Sequence, residues 1–133
     1  EARHERRRAV ELDGTRGFRY LGQGRVRAQL GLLEWAEYDM RRARDLMPWN
    51  ADAHEERARL LEQMGDRRRA IEAWEAAARA FPTNPQPLLA LADLWEAEGD
   101  PGRARDALQR YVAAEPNGML RQRAELYLKR MTP

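Results

Sequence analysis

The chain has 133 residues, 43 % of them hydrophobic and 35 % charged, which is apolar material for one core while most helices keep a wet face. Its 24 basic and 22 acidic side chains nearly cancel, so net charge gives no reason to expect a nucleic-acid partner. The absence of cysteine removes disulfides and thiolate metal sites, and no apolar run approaches the roughly 18 residues needed to span a bilayer, so this segment is not expected to insert into a membrane.

Residues 1–16 carry Ala2 and Ala9 in the same 34-residue phase as Ala36 and Ala43, and are expected to be the second helix of a truncated preceding unit. Three units then follow, 17–50, 51–84 and 85–118, because Pro48, Pro82 and Pro116 stand 34 residues apart, as do Gly31, Gly65 and Gly99, and Ala36, Ala70 and Ala104. A fixed period of this length is the mark of a helical repeat array, in which each unit buries its apolar stripe by stacking on its neighbours. Each unit reads as helix, tight turn, helix. Gly65 and Gly99 can take the left-handed conformation that ends a helix, and Asp66 and Asp100 can cap the next one. In the first unit Leu32 stands where that aspartate would be, so its turn is expected to be the least well fixed. The second helices place Ala36, Met40, Ala43 and Met47, then Ala70, Trp74, Ala77 and Phe81, at i, i+4, i+7 and i+11, which is one helical face. Residues 119–133 form a last amphipathic helix, with Leu120, Ala124, Tyr127, Leu128 and Met131 as its stripe, expected to cap the array. The chain opens at Glu1 rather than methionine, so we expect a piece of a longer protein, and the preference for arginine, Lys129 being the one lysine, points to a bacterial source.

The Gly-Asp turn, Ala70-Ile71 opening the second helix, Trp74 three residues on, and the closing Pro48-Trp49-Asn50 and Pro82-Thr83-Asn84 resemble the tetratricopeptide repeat family. Pro116-Asn117-Gly118 departs from that ending by one residue, and the first unit keeps only Tyr20, Gly24, Gly31, Ala36, Ala43 and Pro48 of the pattern. The resemblance implies an all-α solenoid of antiparallel helix pairs, a right-handed superhelix whose concave face is lined by the first helices. It also implies protein interaction without naming the partner.

By the same resemblance, the groove-facing residues would be Phe18, Leu21, Arg25, Ala28 and Gln29 in the first unit. Asp52, Glu55, Arg59, Glu62 and Gln63 would follow in the second, and Gln86, Leu89, Asp93, Glu96 and Ala97 in the third. Carboxylates outnumber arginines among them, so the expected guest is a basic or mixed-charge protein segment, with Phe18, Leu21 and Leu89 as apolar anchors. The competing reading makes Glu55 and Arg59 a mere i,i+4 surface pair. Some family members grip a terminal carboxylate with basic side chains from successive first helices. Here the matching places hold Leu21, Arg25, Glu56, Gln86 and Ala90, and Glu56 would repel such a guest.

The arginine clusters at Arg6–Arg8, Arg41–Arg44 and Arg67–Arg69 are matched by acids at helical spacing, such as Glu37 before Arg41, and read as solvated faces rather than nucleic-acid patches. Trp74 and Trp95 read as core. Trp35 and Tyr38 lie off the stripe begun by Ala36 and either form an exposed contact surface or pack on the adjoining unit, the latter preferred. With no serine or cysteine, and only His4 and His54 at distant sites, no nucleophile pair can be assembled, and no phosphate loop or metal spacing is present. No enzyme activity, cofactor or metal is therefore expected. Gly22 and Gly24 ahead of Arg25 point to close helix packing.

The expected function is a noncatalytic docking scaffold that captures a helix or extended peptide in the groove or a folded partner on an edge, with self-association through exposed repeat ends as a further partner. The alternative is a periplasmic repeat segment of an envelope or exopolysaccharide export protein that recruits an enzyme or guides polymer. The compartment stays open between bacterial cytoplasm and periplasm, the latter preferred.

Overall fold

The computed structural model describes residues 2–114 and 119–131. Seven helices and no strand occur among them: α1 (Ala2–Gln29), α2 (Leu33–Leu46), α3 (Ala51–Gln63), α4 (Arg67–Ala80), α5 (Gln86–Ala97), α6 (Pro101–Ala114) and α7 (Met119–Met131). The chain forms two compact units, residues 1–70 and 71–133, which divide inside α4.

One stereochemical device ends the first helix of each pair. Gly31, Gly65 and Gly99 sit at φ of +79°, +77° and +79°, a region that costs a side chain strain and glycine nothing. Around each, the glycine N–H donates to the carbonyl three residues back, and the next N–H donates to the carbonyl five back. The latter bonds are Leu32 to Arg27 at 2.9 Å, Asp66 to Leu61 at 3.0 Å and Asp100 to Trp95 at 2.9 Å. This pairing satisfies the carbonyls that a helix end leaves free. Asp66 Oδ1 then accepts from the Arg69 N–H and Asp100 Oδ1 from the Arg103 N–H, both at 3.1 Å, so both aspartates cap as the sequence suggests. Leu32 makes no side-chain cap. At the junctions between pairs, Asn50 Oδ1 accepts from the N–H groups of Asp52 and Ala53, and Asn84 Oδ1 from that of Gln86. The third junction, Pro116 to Gly118, lies outside the described residues, as do the side chains of Leu120 and Met131.

In the first unit α1 packs on α2, and α2 on α3. Leu21, Ala43, Met47 and Ala53 form one buried cluster with Tyr20 against it. Ala36, Met40 and Leu60 form another, flanked by Ala28, Leu33 and Met64. In the second unit α5 packs on α6, and α6 on α7, with Leu88, Leu91, Ala104, Leu108 and Tyr111 buried. Trp74 is buried as expected.

The structure departs from the sequence reading at residues 16 and 17, where a helix boundary was expected. α1 runs unbroken through them. Gly14 and Gly17 are both helical; Gly17 serves close approach, whereas Gly14 leaves room for an ordinary contact. A Cβ on Gly14 would lie 3.7 Å from the Trp49 ring, one on Gly17 would overlap the Met47 side chain, and one on Gly24 would press on Met40 at 3.0 Å and the Ala36 carbonyl at 3.3 Å. Gly24 thus fits the close-packing expectation, whereas Gly22 has open space beyond it.

Candidate functional site

The residues that α1 presents follow from its spacing. Gly17, Leu21, Gly24 and Ala28 recur at i, i+4, i+7 and i+11 and take the side that meets α2. Leu21 is consequently 1 % exposed and belongs to the core, not to a groove, which corrects its expected role as an anchor. Arg25 and Gln29, displaced around the helix, reach instead toward α3.

There they line a depression of about 400 Å³ in the first unit, together with Glu56, Arg59 and Gln63 of α3. Its floor is apolar, formed by Ala28, Met40 and Leu60. Arg25 Nε donates to Glu56 Oε1 at 2.7 Å, and this bond, offset in part by burial, holds the guanidinium above its ordinary pKa. Arg59 lies 3.9 Å from Glu55, so the surface-pair reading of those two residues describes their geometry. The rim is therefore internally matched: each cation has a carboxylate beside it. The isolated positive charge that a terminal carboxylate would need is absent at Arg25.

A second depression, of about 340 Å³, belongs to the second unit. Leu89, Ala92 and Asp93 of α5, Leu108 of α6, and Arg123 and Tyr127 of α7 surround it. Burial pushes the Asp93 carboxyl above its usual range, and the Tyr127 hydroxyl is buried without a hydrogen-bond partner among the described residues. Both groups gain from a guest that supplies a donor.

Of the remaining expected residues, Asp52 and Gln86 are exposed in the first turns of α3 and α5, and Glu62, Glu96 and Ala97 are exposed toward the ends of the same helices, outside both depressions. Phe18 is 54 % exposed with its edge to the Trp49 ring, centroids 6.2 Å apart.

Two buried acids escaped the sequence reading. Asp39 is 1 % exposed and accepts two bonds from Arg27 Nη1 at 2.9 and 3.0 Å, while Arg27 also lies over the Trp35 ring at 5.4 Å. Glu37, expected as a solvated partner of Arg41, is 3 % exposed and sits 3.1 Å from Arg57, with Arg41 and Arg69 each at 3.8 Å. Both flank the narrow Ala36–Met40–Ala43 stripe, and small residues at its centre bring the flanks within reach of neighbouring helices. Trp35 and Tyr38, expected to pack, are exposed. Trp95 is half-buried under the Arg103 guanidinium, 4.6 Å from its ring centre.

With the geometry in place, the family model for the tetratricopeptide repeat matches residues 55–118. That stretch is a tetratricopeptide repeat segment. The fold likeness extends beyond it. The Yersinia enterocolitica type III secretion chaperone SycD, in complex with a peptide of the translocator YopD, superposes with a TM-score of 0.72 at 16 % identity over 85 % of this chain and 89 % of that one. PcrH in complex with the chaperone-binding region of PopD gives 0.71 at 17 % identity over 86 % and 89 %. The first tetratricopeptide repeat domain of Spaghetti (RPAP3), bound to the HSP90 peptide SRMEEVD, gives 0.70 at 15 % identity over 90 % and 92 %. No curated protein matches the sequence at a significant level. Among the described residues, no group of three or more His, Asp or Glu could hold a metal ion, and no helix is long and apolar enough to cross a membrane.

Proposed function

We propose that the chain is a noncatalytic protein-interaction module that holds a basic or mixed-charge segment of a partner protein. The observation that carries this reading is the α1–α3 depression, with an apolar floor and a rim of alternating Arg25, Glu56, Arg59 and Gln63. Such a lining offers a guest both a dry surface and charge-assisted hydrogen bonds of either sign. In the second unit, Asp93 and Arg123 beside Leu89 and Leu108 repeat that chemistry. The solved structures of like fold that hold peptides or partner segments support capture of a peptide as the mode. The exposed Asp52, Glu62 and Glu96 bias the guest toward net positive charge by long-range attraction.

Anisotropy titrations with dye-labelled peptides test it, using a Leu/Lys/Glu peptide, a Leu/Lys peptide and an all-acidic one. The two Lys-containing peptides are expected to bind and the acidic one to fail. Gln63→Trp, which fills the depression of the first unit, should weaken binding by about tenfold or more. Glu62→Lys with Glu96→Lys should weaken the Leu/Lys peptide most at low salt. Unchanged affinities in both variants would reject the groove as the site.

A further inference from the structure

α1 turns a second surface outward, away from α2 and α3. Arg8, Leu12, Arg19, Val26 and Leu30 follow one another at steps of 4, 7, 7 and 4 residues, so they share a single line along the helix. Val26 is 56 % and Leu30 69 % exposed. Phe18, Gly22, Val26, Leu30 and Leu32 line a depression of about 550 Å³, with Arg19 on its edge. A Cβ on Gly22 would meet nothing within 4 Å, so its floor is open to a side chain from outside. Trp35, at the start of α2, is exposed, and the Arg27 guanidinium, which also lines the depression, lies 5.4 Å from its ring centre. Apolar side chains gathered on one side of a helix, instead of scattered singly, mark an interaction surface.

Beside the depression the charge has one sign, Arg19 and Arg27 being the charged residues that line it. Arg8, Arg16 and Arg19 are exposed and form no ion pair among the described residues, in contrast to the matched rim of the α1–α3 depression. The acids Glu11 and Asp13 fall to either side of Leu12, off the line, and Glu5, seven residues before Leu12, shares the line only at its far end beside Arg8, away from the depression. We propose that the outer face of α1 is a second docking surface, which takes an amphipathic helix of a separate protein whose apolar stripe is flanked by Asp or Glu. Leucines at i, i+4 and i+7 of that helix would enter between Phe18, Val26 and Leu30, one of them over Gly22, while its carboxylates meet Arg19 and Arg16. The face is concave at Gly22, which suits a ridge of side chains better than a flat lipid surface. This surface is independent of the groove reading and stands if that reading fails.

The test titrates the 133-residue chain with two designed helical peptides that share a Leu stripe and differ in flanking Glu or Lys. The Glu-flanked helix should bind at least about tenfold more tightly, and Arg19→Glu should reverse the preference. Val26→Asp with Leu30→Asp should remove binding while the circular dichroism spectrum stays that of the wild type, since exposed positions rarely carry the fold. Equal binding of the two peptides, or none, overturns the proposal. So does concentration-dependent self-association that Val26→Asp abolishes, which would make a second copy the occupant. Binding of phosphatidylserine vesicles in preference to both peptides would assign the face to a membrane and likewise overturn it.

Discussion

Replacing Glu37 by Gln tests whether the first unit is held by a buried charge network. Glu37 Oε1 lies 3.1 Å from an Arg57 guanidinium that is itself only 12 % exposed in its side chain. A unit charge pair at that separation, in an effective dielectric of about 20, attracts by roughly 5 kcal/mol before desolvation is counted. Arg41 and Arg69, each 3.8 Å away and 46 % and 37 % exposed, add little because water screens them. Gln keeps the shape and one acceptor but strands the Arg57 charge, which burial already disfavours and which Arg44 disfavours further. Breaking a buried pair from one side costs about 3–5 kcal/mol, and the retained acceptor brings the expected loss to about 2–3 kcal/mol. Urea unfolding followed by circular dichroism measures it, and added salt should change the result little for a pair this dry. The companion variant Glu37→Met with Arg57→Met removes both charges, and is expected to lie within about 1 kcal/mol of the wild type. The reasoning is refuted if the single variant loses less than about 1 kcal/mol, or if the double variant is worse than the single.

Further outcomes follow from the same structure. Gly17→Ala should destabilise by about 1–3 kcal/mol, because the added methyl overlaps Met47, while Gly22→Ala should stabilise by about 0.5–1 kcal/mol, having open space and a helical backbone; thermal melts of the pair decide this. Leu32→Asp supplies the missing cap of α2 and should add about 0.5–1 kcal/mol in the same assay. His54 donates from Nε2 to the Pro48 carbonyl at 3.1 Å, and burial, reinforced by Arg44 and Arg57 and offset in part by that hydrogen bond and by Asp45, lowers its pKa from the ordinary 6.5. The unfolded chain therefore takes up the proton first, so the stability that neutral His54 contributes is complete above about pH 6.5 and is lost as pH falls toward the lower folded value. A urea series from pH 7.5 to 5 should show that decline, and His54→Gln should flatten it.

Turn chemistry was legible because it is local: a glycine followed by aspartate states both a left-handed backbone and a cap within two residues. The second-helix stripes were legible for the same reason, and they buried Ala36, Met40, Trp74 and Ala77 as their spacing required. The boundary expected at residues 16 and 17 did not form because a glycine has two uses that look alike in a sequence, freedom of the backbone and room for a neighbour; at Gly17 only the position of Met47 tells them apart. Leu21 was assigned by analogy to a groove, although its four-residue spacing from Gly17 already placed it with the α2-facing side. Glu37 stayed hidden because its i,i+4 spacing to Arg41 reads as solvent chemistry, and Asp39 because its partner Arg27 lies on another helix; the burial of both depends on α1 and α3 closing over the flanks of α2.

The matched corners at Gly31, Gly65 and Gly99 bear on how such a protein changes over generations. A stretch of coding DNA for 34 residues can be duplicated or deleted in frame, and the backbone on either side of the seam still meets the same handedness and the same bonding pattern. Lineages can therefore grow or shed modules without inventing a new bend, and what selection must rebuild each time is confined to the outermost helices, where apolar flanks lose or gain a neighbour.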